Sequence, residues 1–484
     1  MQEATERIFS IVKRSTIFSA GNVLNKALLF FMVPLFAYQI TPEDLSVLEV
    51  LDPFEQFLFA LLQIGIINAF YKYYQQNSDP EFRMRLVSTG FWFIGGMSLI
   101  AIIVLSLFAE TITLALVGEH PLALICFYLM LAGLVIRMCN AFSYAYYQVY
   151  QKASAIVWWT IVGTLLYCIA NIIGLVWLNG TVEVVFWARL LMLFPLFIAG
   201  FILFKKELQL VFDISLLKKM LRFSYPFVII GASYLILNFF DRLMLQRMID
   251  AEATGIYGLS YRFGMIPGMI LVAPFLKAWQ PAIYETGESS VRETVYKRIL
   301  IYYSLSGCLL WLALSVFSEE LLLIFATEAY FDGHVIIPYI AASQFFYGLG
   351  WIVVAGMAYN ERTLPIGLVT LFAALSNIVM NYYFITMFGF IGAAYATVLA
   401  FVILFLGFLW YSIRTLNIVW PIGRIISLLI VSFFAYIGIM MIPELSLWQS
   451  IFYKSLSLIP AFLLIIAASG IGYSKFLTLL KLKK

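Results

Sequence analysis

Long apolar runs alternate along this chain with short polar breaks. The runs are too long for buried strands or ordinary core helices, because a bilayer crossing needs about 20 mostly apolar residues. At that length the sequence predicts fourteen helices, over 15–40, 45–72, 84–109, 121–149, 153–178, 181–204, 219–249, 255–282, 294–318, 335–358, 363–388, 390–413, 420–442 and 447–473. Lipid tolerates little backbone that is not helical. The expected fold is therefore an all-α integral membrane protein.

Composition agrees with the pattern. Of 484 residues, 63% are hydrophobic and 12% charged, whereas soluble domains sit nearer half and a quarter. The start, MQEATERIFSIVKRS, is polar and charged, so the reading includes no cleavable leader. Lys and Arg in the breaks set the orientation. With the N-terminus inside, 22 of the 30 basic residues fall on the cytoplasmic side, among them Lys72, Arg83, Arg85, Lys218, Lys219 and Arg222. The outward loops carry acids such as Glu43, Asp44, Glu119, Glu319 and Glu320, with Arg247 as the basic exception. Both termini are expected in the cytoplasm, and an even helix count requires the same.

The short loops leave no room for a soluble catalytic domain, and no phosphate-cradling GxxxxGK[ST] occurs. Neither enzyme activity nor a nucleic-acid partner is expected. Cys126, Cys139, Cys168 and Cys308 all fall in apolar runs and read as packing residues, and His120 and His334 lie far apart in loops. No metal or cofactor is expected.

The two halves echo one another. ITPEDLSVLEV (40–50) and IDAEATGIYGL (249–259) share Ile, Glu and an aliphatic residue at matching positions, at an offset of 209. ANIIG (170–174) and SNIVM (376–380) repeat near the same offset. Such self-similarity marks homologous halves, and six helices per half insert them the same way up. The expected organisation is an N-terminal lobe over 1–205, a cytoplasmic linker over 206–218, a C-terminal lobe over 219–415, and two further helices with a basic tail over 416–484. The two lobes would flank a central cleft, the architecture of alternating access.

Charges inside spans are expensive, roughly 3 kcal/mol near the bilayer centre. Seven basic residues nevertheless lie there (Lys26, Arg137, Arg189, Arg242, Arg262, Lys277 and Lys454), against the acids Glu49, Asp52, Glu55 and Asp241. Several fall on polar stripes at helical spacing: Asn22 with Lys26, Glu49 with Asp52, Arg137 with Asn140, Tyr144 and Tyr147, Asn238 with Asp241, and Asn377 with Asn381. A hydrated cavity wall demands such stripes. Polar contacts between packed helices would also produce them, and both readings stand. On the first reading Lys26, Arg137, Arg242, Arg262, Lys277 and Arg189 are candidate anion-binding cations, and Arg189, Arg262 and Lys454 could instead snorkel. Asp241 and Arg242, about 100° apart on one helix, are not expected to satisfy each other alone. Glu49, Asp52 and Asp241 are candidate coupling or counter-charge groups. Seven cations against four acids favour an anionic cargo.

The run RFSYPFVIIGASYLILNFFDRLMLQRMIDAEATGIYGLSYRF (222–263) resembles the seventh and eighth helices of the polysaccharide transporters. The resemblance rests on Pro226, the Asp241–Arg242 pair, Gly255-Ile-Tyr257 and Tyr261-Arg262. NIVMNYYFITMFGFIGAAYATVLAF (377–401), Pro34, TPED (41–44) and QIGIINAFYKYY (63–74) are similar too. These are Wzx-type flippases within the multidrug/oligosaccharidyl-lipid/polysaccharide exporter superfamily. One departure is Ser46, where members usually carry Gly; Gly255 keeps that position in the second half.

The resemblance implies an undecaprenyl-diphosphate-linked oligosaccharide, for O-antigen, capsule or a related glycan, moved from the inner to the outer leaflet of a prokaryotic plasma membrane. Membrane lipids, and glycosyltransferases or a polymerase of the same pathway, would be its neighbours. Arg and Lys suit the diphosphate. Tyr144, Tyr147, Tyr257 and Tyr261, with Asn22, Asn238, Asn377 and Asn381, could contact sugars. The competing reading within the superfamily is a cation-coupled antiporter of drugs or small metabolites.

Overall fold

The structure is a computed structural model, and it describes residues 25–149, 153–204, 208–276, 279, 289–354, 363–416, 418–443 and 446–470. Asn22 and Lys277 lie outside the described residues, as does the side chain of Tyr147. Among the described residues every regular element is helical. Eleven helices among these residues are long and apolar enough to cross a bilayer, and a bent pair makes a twelfth. The other two expected spans are the first, of which only 25–40 is described, and the seventh, a helix of 35 residues. Large apolar side chains such as Leu107, Trp177, Phe434 and Trp448 stand well exposed, which lipid accommodates and water would not.

The chain divides into two compact units, Met1–Gly255 and Ile256–Lys484. The first unit contains α1 (Met32–Gln39), α2 (Pro42–Gln63), α3 (Ile66–Gln76), α4 (Pro80–Leu107), α5 (Ala109–Leu116), α6 (Ala123–Val149), α7 (Ala153–Asn171), α8 (Val182–Phe204) and α9 (Ile214–Met248). The seventh span, assigned by sequence to the second lobe, thus packs within the first unit, against α2 and α3. The core at one end of this unit joins Ile66, Phe70 and Tyr73 of α3 with Leu86 of α4, Phe142 and Tyr146 of α6, and Leu216 and Met220 of α9.

The span expected over 45–72 is two helices, α2 and α3, bent by 46°. Ile64 and Gly65 both take left-handed backbone, at φ 47° and 64°. Glycine adopts that conformation freely, whereas β-branched Ile64 is strained there. Gly65 was the signal in the sequence for this break.

The second unit holds α11 (Ser289–Val316), α12 (Ser318–Phe325), α13 (Ile337–Val353), α14 (Thr363–Phe388), α15 (Phe390–Leu416), α16 (Ile422–Met440) and α17 (Leu447–Ala468). Helix α15 packs on both α13 and α14. Helix α10 (Ala251–Gly264) begins in the first unit and continues into the second.

The internal echo has a structural counterpart. Thr41 caps α2, its hydroxyl accepting the Asp44 N–H at 3.2 Å, and Asp250 caps α10, its carboxylate accepting the Ala253 N–H at 2.8 Å. Both are N-caps, 209 residues apart. Ser46 and Gly255 occupy the matching place one turn on. A Cβ on Gly255 would lie 1.8 Å from the Pro42 carbonyl oxygen, so only glycine admits this approach. Ser46 turns back on its own helix, its hydroxyl donating to the Glu43 carbonyl at 2.7 Å. That contact satisfies the hydroxyl of a fully buried serine.

Candidate functional site

Helix α2 carries three acids at intervals of three: Glu49, Asp52 and Glu55. Each interval turns the side chain by about 300°, so successive carboxylates step about 60° around the helix. Glu49 meets α9, while Asp52 and Glu55 meet α6 and α8.

On α9, Arg242 donates from Nε to Glu49 Oε2 at 3.0 Å and from Nη1 to the Asn238 carbonyl at 2.8 Å. The same Nη1 lies 3.3 Å from Asp241 Oδ1, which also accepts the Arg242 backbone N–H at 2.9 Å. Arg242, Asp241 and Glu49 are 3%, 1% and 4% exposed. Asp241 and Arg242 thus meet but, as the sequence suggested, Arg242 does not rely on Asp241 alone. Their side chains leave the helix in different directions, but arginine is long enough to curl back to the carbonyl four residues earlier. Glu49 supplies the second carboxylate.

Arg137 of α6 lies 3.2 Å from Glu55 Oε1, and its guanidinium stacks 4.6 Å from the Phe59 ring centroid. Arg189 of α8 holds both carboxylate oxygens of Asp52 and comes within 3.7 Å of Glu55 Oε2. The Arg137 side chain is 35% exposed and that of Arg189 23%, while Glu55 is 7%. Four carboxylates thus share three guanidiniums, in two groups along α2. Asn140 on the Arg137 stripe binds the Leu193 carbonyl of α8 at 2.7 Å, a contact between helices. Asn238 has its carbonyl under Arg242, Tyr144 is half-buried on α6, and Lys26 is exposed.

The second unit is different. Asn381 donates to Asn377 Oδ1 at 3.0 Å on α14, and both are at most 1% exposed. Tyr257 and Tyr261 of α10 are buried with ring centroids 5.8 Å apart, and Arg262 beside them is half-buried. Lys454 on α17 does not snorkel. It is 5% exposed and its Nζ sits 2.5 Å from Glu320 Oε1, with Glu319 at 3.8 Å.

The surplus of cations expected from sequence therefore does not stand as free positive charge. Arg137, Arg189, Arg242 and Lys454 all have carboxylate partners. Sequence reasoning missed Glu319 and Glu320 as partners and Phe59 as a platform. It named Glu55 as an in-span acid without giving it a role. The interval 49–52–55 was the available signal for Glu55; nothing local marked Glu320.

A family model of polysaccharide biosynthesis proteins matches residues 11–286, more than half of the chain. The chain belongs to that family. Its fold is that of the transporters of the multidrug/oligosaccharidyl-lipid/polysaccharide exporter superfamily. The lipid II flippase MurJ, in an inward closed conformation, superposes with a TM-score of 0.75 at 17% identity, covering 93% of this chain and 98% of that one. A multidrug-resistance MATE transporter in an inward-facing conformation gives 0.66 at 17% identity, covering 80% and 94%. A superfamily transporter from Pyrococcus furiosus, described as having a binding pocket of reversed polarity, gives 0.55 at 16% identity, covering 83% and 95%. Among curated proteins, none matches the sequence.

Proposed function

We propose that this polysaccharide biosynthesis protein is a flippase, carrying an undecaprenyl-diphosphate-linked oligosaccharide from the inner to the outer leaflet of a bacterial plasma membrane. The family match over residues 11–286 carries the reading. A member of a polysaccharide biosynthesis family with the fold of membrane transporters is suited to moving the lipid-bound intermediate across. The exchangeable cation is Arg137, the most exposed of the three paired guanidiniums. A diphosphate oxygen would replace Glu55 on it as a bidentate partner, and Glu55 would keep Arg189. Arg242, enclosed by Glu49, Asp241 and a backbone carbonyl, would hold α2 to α9 instead.

One observation favours a second reading, a cation-coupled antiporter. Three of the carboxylates that the guanidiniums meet stand on one helix, Glu49, Asp52 and Glu55 of α2, and such a row of acids would suit a proton, sodium ion or cationic cargo. Proteoliposomes separate the two. The flippase reading expects the lipid-linked oligosaccharide to become accessible to a glycosidase on the opposite face, with Arg137→Gln slowing this at least tenfold while the protein, whose Glu55 keeps Arg189, still folds and inserts. Full transport by Arg137→Gln would remove Arg137 from the site. Gradient-driven efflux of a cationic dye without lipid translocation would establish the antiporter.

A further inference from the structure

The first unit has a second concentration of charge, at its basic end, where the polar network above plays no part. Helix α9 is 35 residues long, about 50 Å, and exceeds the roughly 30 Å hydrocarbon layer. Its first turns carry Lys218, Lys219 and Arg222, all exposed. They adjoin the end of α3 with Lys72 and the start of α4 with Arg83 and Arg85. All three helix ends share one core, through Tyr73, Leu86, Leu216 and Met220.

The two lysines at the centre stand unusually close to one aromatic ring. Lys72 Nζ is 5.7 Å and Lys219 Nζ 5.1 Å from the Tyr73 centroid, and Lys72 also lies 4.0 Å from the Phe223 ring. Cation–π contact favours each separately, but two ammonium groups on one ring repel. Among the described residues neither has a carboxylate partner. The nearby acids serve elsewhere: Asp79 caps α4 and Asp213 caps α9.

The segment before α9 supplies the other half of the arrangement. Residues 208–213 run along α4 as an extended strap, with the Gln209 N–H on Ser88 Oγ at 2.9 Å, Trp92 Nε1 on the Gln209 carbonyl at 2.7 Å, and the Asp213 N–H on Thr89 Oγ1 at 3.1 Å. Leu208 packs into the shared core, while Leu210, Phe212 and Ile214 point outward at 91%, 48% and 60% exposure. Bare apolar side chains beside a tryptophan and a basic cluster mark the depth where headgroups meet acyl chains.

We propose that Lys72 and Lys219, supported by Lys218 and Arg222, bind the phosphate of an anionic glycerophospholipid of the inner leaflet. Its acyl chains would lie over Leu210, Phe212 and Trp92. The anion relieves the repulsion across Tyr73, and the exposed strap distinguishes a lipid from a free phosphate. The inference rests on the basic end facing the cytoplasm and is independent of which cargo the protein moves.

The test uses the full-length protein, delipidated in neutral detergent, titrated with phosphatidylglycerol or phosphatidylcholine and read by native mass spectrometry. Each lysine near an anionic surface is worth about fivefold in affinity. Lys72→Gln with Lys219→Gln should therefore weaken phosphatidylglycerol about 25-fold and leave phosphatidylcholine unchanged. Arg414→Gln, the same kind of charge loss beside Trp410 in the other unit, should alter neither. Leu210→Gln with Phe212→Gln keeps every lysine, and should lower phosphatidylglycerol affinity if the strap holds the chains. Equal retention of the two lipids by the native protein, an unaffected lysine double variant, or displacement of the lipid by equimolar inorganic phosphate would each overturn the proposal.

Discussion

The two units place polar groups at membrane depth by different means. In the first, Glu49, Asp52, Glu55 and Asp241 meet Arg137, Arg189 and Arg242 in two buried or half-buried clusters. In the second, α14 holds the amide pair Asn377 and Asn381, and a buried ion pair, Lys454 with Glu320, lies at a helix start. A charge removed from its partner inside a membrane is far more costly than an amide left with one bond fewer. The first unit is therefore the more fragile of the two, and the one where protonation or an incoming anion would have most effect.

Arg242 gives the largest contrast. Arg242→Met takes from the buried Glu49 and Asp241 the guanidinium that they share, and breaking such a pair costs roughly 3–5 kcal/mol. The variant should accumulate poorly and melt many degrees lower in detergent. Restoring neutrality in the triple variant Glu49→Gln, Asp241→Asn, Arg242→Met should recover most of that loss. An Arg242→Met protein with native melting behaviour would show that the pair is not what joins α2 to α9.

A smaller effect is expected in the second unit. Asn381→Leu removes one hydrogen bond between buried amides, and such contacts in membranes average about 0.6 kcal/mol with a maximum near 1.7. Asn377 Nδ2 and Asn381 Oδ1 have no partner in the structure, so leucine at 381 exchanges an unsatisfied acceptor for an apolar contact. The melting temperature should move by no more than a few degrees. A collapse like that of Arg242→Met would mean that the amides carry the second unit as the ions carry the first.

How much of this could be read beforehand follows from the range of each interaction. Spans are set by local apolar length, so nearly every helix was visible, and the caps at Thr41 and Asp250 were visible as a repeat. The break at Gly65 was also local, but a continuous apolar run concealed it. Ion pairs depend on which helices become neighbours. The partners of Arg189 and Arg242 lie 137 and 193 residues away in sequence, and no spacing rule selects them. The stripes located the charges correctly. They did not reveal that the stripes face one another, and counting cations against acids along the chain therefore overstated the positive charge on offer.

The smallest expected effect separates the charges inside the membrane from those at its edge. Asp213 lies outside the spans, where it accepts the Ser215 hydroxyl at 2.6 Å and the Leu216 N–H at 3.0 Å. These bonds hold its carboxyl below the ordinary aspartate range, the Ser215 hydroxyl contributing most. A depressed value means that the ionised cap stabilises α9 above the unfolded-state pKa of about 3.9, and that this contribution disappears as pH falls through the lower folded value. Asparagine caps about as well as aspartate. Asp213→Asn should therefore melt within about 1 °C of the native protein at pH 7, and any gap should close below about pH 4 as the native aspartate takes up its proton. A gap that widened on acidification would reverse the sign, and would show that the ionised Asp213 does not stabilise α9.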